Sequence, residues 1–215
     1  MTILALEFSS PQRSVAVARA DGVAEAVEPN GRDTAAFGLI EKVLAETKIE
    51  REEIGVIAVG LGPGSYTGIR AAIALAQGWQ LARGIKLLGI SGAQCLAAQA
   101  QSEEIFGRVN VVIDAQRNEF YLAAYEISAA GWKEIQPLRI LPLAEVQSRA
   151  NADETLIGPE VTRWFPDGKI LFPRAATLAK LTASRKDFIA GEKLEPVYLR
   201  ETNFVKAPPS RTKVS

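Results

Sequence analysis

The sequence predicts an α/β fold built as two related lobes. Apolar runs of strand length alternate with stretches of helical spacing. The order of elements, three strands followed by alternating helix and strand, is written twice. Each repeat begins on an apolar run that closes in a carboxylate: Ile3 to Leu6 ends at Glu7, and Val109 to Ile113 ends at Asp114. The residues of the two repeats match weakly, so the order of elements carries the inference. The first lobe is assigned to residues 1–104, the second and less complete one to 105–203, and 204–215 to a polar, Pro-rich, mobile tail.

In the first lobe, Ile3 to Phe8 is a β-type run and Ser9-Ser10-Pro11 a turn. Arg13 to Ala20 alternates with Val15 and Val17 on one face. Asp21-Gly22 signals a hairpin, and Val23 to Glu28 returns as a third strand. Asp33 is placed to cap a helix whose apolar positions Phe37, Ile40, Val43 and Leu44 follow helical spacing. Ile54 to Leu61 reads as a buried strand, Thr67 to Ala82 as an Ala- and Gly-rich helix, and Lys86 to Ile90 as a strand before a helix starting at Ser91. The second lobe repeats the pattern. Its strands are Val109 to Ile113, Phe120 to Ile127 and Trp132 to Ile140, followed by a short helix near Leu143 to Arg149. Thr155 to Ile157, Gly158-Pro159, a long helix over Ala175 to Ala190 and an extended Pro196 to Leu199 complete it.

Composition narrows the chemistry. Of 215 residues, 47% are hydrophobic, enough for a real core. Lys+Arg and Asp+Glu both number 25, so a nucleic-acid role is expected to be shared with a partner. Histidine is absent, which removes a His general base, a Ser-His-Asp triad and a Cys/His zinc site. The single cysteine, Cys95, lies in an Ala-rich apolar segment and reads as a buried structural thiol. The N-terminal apolar run is short and broken by Glu7, unlike a signal peptide or membrane span, so a cytoplasmic protein is expected.

One loop stands out. Val59 to Arg70 reads VGLGPGSYTGIR, a Gly-rich turn leading into a helix. It fails the P-loop, because Gly68 is followed by Ile69 and Arg70 rather than lysine. It fails the dinucleotide fingerprint, because the sixth position from Gly62 is Thr67. No Asp or Glu occurs from Ile54 to Ser102, which suits an anion but supplies no general base. Gly62, Gly64, Ser65, Thr67, Gly68 and Arg70 are the local candidates to contact a nucleotide. Glu7 and Asp114 are the symmetric acidic candidates at strand ends facing an inter-lobe cleft. Against this stand bland readings: glycines that permit close packing, an Arg70 paired with a carboxylate, and carboxylates bonded to turn backbone.

The helix after the loop carries small residues, with Ala72 and Ala76 on one side and Ala71, Ala74 and Gly78 near them. The Phe37 helix lacks a fully polar face. Both are candidates for a helix-to-helix subunit interface, with Phe37, Ile40, Leu44, Ala72, Ala76 and Trp79 as the candidate contacts.

Three segments resemble the TsaB (YeaZ) family. GLGPGSYTGIRAAIALAQGWQLA is similar to the family's Gly-rich signature, IDAQRNEFYLAAYE to a second segment, and EPVYLR to its ending. They occur in the family's order and span nearly the whole chain. The resemblance implies an actin-like/Hsp70-like ATPase (ASKHA) fold of two lobes with duplicated βββαβα topology. It implies a non-catalytic part in making threonylcarbamoyladenosine on tRNA, beside the anticodon. The chemistry would belong to a partner, TsaD, in a heterodimer to which the ATPase TsaE binds, with a self-dimer using the same helices, Asp33–Thr47 and Thr67–Ala82. Any tRNA contact would come through that complex. No metal, membrane or intrinsic cofactor is implied, beyond an ATP or ADP held weakly or shared at an interface. The chain departs from the family pattern at Glu7-Phe8, where the first strand usually ends in Asp-Thr, at Asp33, where His is common, and at Gly158-Pro159, a thin substitute for a glycine pair. The rival reading is a small ATP-dependent phosphotransferase using Glu7 or Asp114. A peptidase is disfavoured by the missing histidine.

Overall fold

The structure, a computed structural model, describes residues 1–29, 36–150, 152 and 154–199. Asp33 and the tail assigned to 204–215 lie outside the described residues. The first sheet comprises β1 (Thr2–Glu7), β2 (Arg13–Arg19), β3 (Gly22–Glu28), β4 (Ile54–Gly60) and β5 (Lys86–Ile90), in the order β3-β2-β1-β4-β5. The second comprises β6 (Gly107–Asp114), β7 (Glu119–Ser128), β8 (Gly131–Pro142), β9 (Thr155–Gly158) and β10 (Lys169–Ile170), in the order β10-β9-β6-β7-β8. Read from opposite edges the two orders are the same. In both sheets the first three strands pair antiparallel and the later ones parallel. This is the duplicated actin-like arrangement. The two-residue β10 was not foreseen, because so short a strand has no periodicity to read.

Among the described residues, five α-helices fill the layers: α1 (Ala36–Thr47), α2 (Tyr66–Arg83), α3 (Gly92–Ser102), α4 (Leu143–Ala150) and α5 (Ala175–Ala183). The central strands explain their own composition. Leu4 and Leu6 on β1 and Ile57 and Val59 on β4 face α1 and α2. Ile3, Ala5, Val56 and Ala58, on the other side, face α5. Strands covered on both faces must be apolar throughout, which is why β1 and β4 read as unbroken apolar runs. The helix α3 packs on the inner face of the second sheet through Leu96, Ala97 and Ala100, while Val146 of α4 covers its other face. Cys95, on the side of α3 away from the second sheet, is buried with α5 and the first sheet, its thiol 3.5 Å from the Arg174 carbonyl, and burial pushes it well above its ordinary pKa.

The sheets separate between β5 and β6, but the chain crosses back. Although α5 follows the second sheet in sequence, it lies on the first. Its N-terminus is satisfied from β2 and β3: Ala175 N–H donates to Ser14 Oγ at 2.9 Å and Ala176 N–H to Glu25 Oε1 at 3.1 Å. Arg174 adds a two-pronged ion pair to Glu25. This helix ends at Ala183 rather than near Ala190. The chain straightens beyond it, and Ile189 N–H donates to Leu87 O at 2.9 Å on the edge strand β5.

Candidate functional site

A cleft of about 520 Å³ opens between the lobes. One wall is the turn after β1, with Ser9 and Ser10, and Arg13 at the start of β2, and beside it the Gly-rich loop with Gly64, Ser65 and Thr67. The facing wall comes from the second lobe: Asp114 and Gln116 in the turn after β6, then Glu160 and Trp164.

Most of the loop's glycines are used in packing against the protein itself. A Cβ on Gly64 would overlap Ser9 O, and one on Gly68 would overlap Phe8 O. Gly62 has φ +76°, and a Cβ there would strike Ile69. Hydrogen bonds fix the same contacts: Ser65 N–H to Ser9 O at 2.6 Å and Gly92 N–H to Gly62 O at 2.7 Å. Ser65 then caps α2, its Oγ accepting from Gly68 N–H at 3.3 Å.

The two acidic candidates part company. Asp114 lines the cleft, its Oδ1 accepting from Gln116 N–H at 2.7 Å. Glu7 does not line it. Its side chain is fully buried, with Oε1 accepting from Ser9 N–H at 2.8 Å. The expectation that Glu7 faces the cleft is corrected. Its extra methylene tucks the carboxyl under β4, where a Cβ on Gly60 would lie 2.6 Å from the carboxyl carbon. Oε2 has no hydrogen-bond partner among the described residues. Burial raises the Glu7 carboxyl above the usual carboxylate range, and the Ser9 hydrogen bond only partly opposes this.

Of the remaining loop candidates, Gly64, Ser65 and Thr67 reach the cleft, whereas Gly62 and Gly68 are buried. Arg70 pairs with tyrosines rather than a carboxylate. Its Nη1 donates to Tyr66 Oη at 2.9 Å and its guanidinium lies over the Tyr66 ring. Sequence reasoning missed Ser9, Ser10, Arg13, Glu160 and Trp164. The serines and Arg13 follow directly on a buried strand, a position that could have flagged them; Glu160 and Trp164 lie outside any periodic element. Also missed was the left-handed run Gln116, Arg117 and Asn118, at φ 63°, 58° and 58°, which shapes the turn beside Asp114.

The lining fits a nucleotide's phosphate chain poorly. One guanidinium, Arg13, shares the cleft with two carboxylates, Asp114 and Glu160. Among the described residues no group of three His, Cys, Asp or Glu side chains is placed to hold a metal, and no helix is long and apolar enough to cross a membrane.

The interface candidates also divide. Phe37 is 58% exposed, and Trp79 is half-buried against the core. Ile40, Leu44, Ala72 and Ala76 are buried within the chain's own core and are not available to a partner. The helix α2 turns Ile69, Ala72, Ile73 and Ala76 to the sheet, so its outward stripe is Ala71, Ala74, Gly78 and Leu81, the last 91% exposed.

Comparison with known proteins agrees with the fold. A family model described as "TsaD: tRNA N6-adenosine threonylcarbamoyltransferase" matches residues 33–199. The chain is similar to the tRNA threonylcarbamoyladenosine biosynthesis protein TsaB of Escherichia coli, 27% identical over 98% of this chain and all of the relative. The Haemophilus influenzae TsaB is 25% identical over 79% of this chain and 80% of its own. Among solved structures, YeaZ from Pseudomonas aeruginosa superposes with a TM-score of 0.78 at 28% identity, covering 92% of this chain and 99% of that one.

Proposed function

The chain belongs to the TsaB (YeaZ) branch of the TsaD threonylcarbamoyltransferase family, and on that premise we propose that it is a non-catalytic subunit that binds and activates a TsaD transferase in making N6-threonylcarbamoyladenosine on tRNA. The observation that carries this reading is the outward stripe of α2. Ala71, Ala74 and Gly78 would let a partner helix approach closely, and Leu81 stands almost wholly in water. Burying a leucine of that kind contributes about 1.5–3 kcal/mol, a strong incentive for a partner. Phe37 on α1, on the same side of the sheet, extends the surface. TsaE joins the assembled pair, and without TsaD the same helices support a self-dimer. The tRNA is held by the complex as a whole, and any ATP or ADP at the inter-lobe cleft is shared with groups a partner supplies. The protein works in the cytoplasm.

The test is association. Wild-type chain mixed with its cognate TsaD should co-elute on a sizing column, and Ala74→Arg should abolish co-elution while keeping its circular dichroism. Unchanged co-elution of Ala74→Arg would refute this surface. The phosphotransferase reading keeps one supporting observation, Asp114 in the cleft opposite Ser65 and Thr67. Calorimetric binding of Mg-ATP, with turnover lost in Asp114→Asn, would favour it instead.

A further inference from the structure

Of the described residues that line the inter-lobe cleft, three are charged, and they are sorted by wall. Arg13 stands on the first lobe, with Ser9, Ser65 and Thr67 on the same side. Asp114, at the end of β6, and Glu160, shortly after β9, stand on the second lobe. The Arg13 guanidinium lies over the ring of the buried Phe8, 5.8 Å from its centroid. Neither Asp114 nor Glu160 is in an ion pair among the described residues. Phe120 and Trp164 add an aromatic floor to the acidic wall, their rings packed edge to face at 5.1 Å. Arg163, whose guanidinium lies over the Trp164 ring at 4.9 Å, does not line the cleft.

The sorting restricts what can fill the space. A ligand that displaces water from a charged group has to replace the lost hydration with an opposite charge. A simple cation satisfies the acidic wall and strands Arg13. A polyanion meets Arg13 and is opposed by two carboxylates. Both walls are satisfied at once by a small molecule that carries an ammonium and a carboxylate. The cleft, at about 520 Å³, is of ordinary size for such an occupant, since small-molecule sites span about 300–1,000 Å³.

We propose that the inter-lobe cleft binds a zwitterion of the amino-acid and short-peptide class. Its carboxylate meets Arg13, its ammonium meets Asp114 and Glu160, and an apolar side chain lies against Trp164. The site stands apart from the subunit role above, because the outward stripe of α2 lines no part of the cleft.

Isothermal titration calorimetry tests it on the full-length chain, without TsaD. The probes are phenylalanine and the tripeptide alanyl-phenylalanyl-alanine, each with free ends, with the amine acetylated, and with the carboxylate amidated. The tighter of the two free-ended probes tells whether the occupant is an amino acid or a peptide. That probe should bind about 10-fold or more tighter than either of its blocked forms, because each block removes one charge-assisted contact. Arg13→Gln should erase the penalty of amidation and keep that of acetylation. Asp114→Asn with Glu160→Gln should do the reverse. Thermal melts establish that the variants are folded, and the blocked-probe comparison on the wild type needs no variant. Mg-ATP should bind more weakly than the free-ended probe. Absence of binding by both free-ended probes would overturn the proposal. So would blocked forms that bind as well as free ones, folded variants that leave both penalties intact, or Mg-ATP that binds tighter.

Discussion

Glu7 and Asp114 accept the same kind of hydrogen bond at equivalent strand ends, from the N–H of the residue two places on, at 2.8 Å and 2.7 Å respectively. One carboxyl is fully buried and the other lines the cleft. The repeated fold has kept the turn and moved one acid out of the site.

That difference has a pH signature. Burial raises the folded pKa of Glu7 above its ordinary value. Stability from the neutral acid is therefore complete below the unfolded pKa and declines as pH rises through the folded one. Glu7→Gln mimics the neutral acid and should remove this decline. Thermal melts at pH 5 and pH 8 should show the variant losing less stability on alkalisation than the wild type. Parallel losses in both proteins would show that Glu7 does not titrate in the fold.

The loop glycines should behave as packing residues. Gly64→Ala and Gly68→Ala drive a Cβ into the backbone of the Phe8–Ser9 turn and should each cost about 3 kcal/mol or more. Gly78 has open space around it in the same helix, and Gly78→Ala should gain about 0.5–1 kcal/mol from helix propensity alone. Urea titrations of the three variants check the contrast. Tolerance of alanine at 64 and 68 would show that those glycines serve a ligand instead.

The cap on α5 is tested at Ser14. Its Oγ is the described acceptor for Ala175 N–H, from a strand 161 positions away. Ser14→Ala should cost about 1–2 kcal/mol, or roughly 2–8 °C in melting temperature at this chain length. A melting temperature equal to the wild type's would remove the cap from the account.

On α2, phase decides what an arginine does. Ala72→Arg buries a charge beneath the sheet-facing side and should prevent folding, whereas Ala74→Arg should fold with near-native melting and lose only association. Circular dichroism beside sizing chromatography separates the outcomes. A folded Ala72→Arg would mean that the helix is rotated from the face described.

Much of this was legible in the sequence. The doubled element order gave both sheets, because buried parallel strands and hairpin turns leave clear apolar runs. What stayed hidden is tertiary. Helical spacing marks a small-residue stripe but does not say which side the sheet takes, so Ala72 and Ala76 read as interface positions in the sequence while Ala71, Ala74 and Leu81 hold the outward face in the fold. The return of α5 to the first sheet depends on Ser14 and Glu25, partners no local pattern connects to it. The burial of Glu7 depends on a glycine across the sheet at position 60.

The most direct test is the rate of tRNA threonylcarbamoylation by cognate TsaD and the rest of the pathway, measured with wild-type chain, with Ala74→Arg and with neither. The account predicts strong modification with the wild type alone, and background rates with the folded variant and in its absence. Full modification without the chain would contradict it.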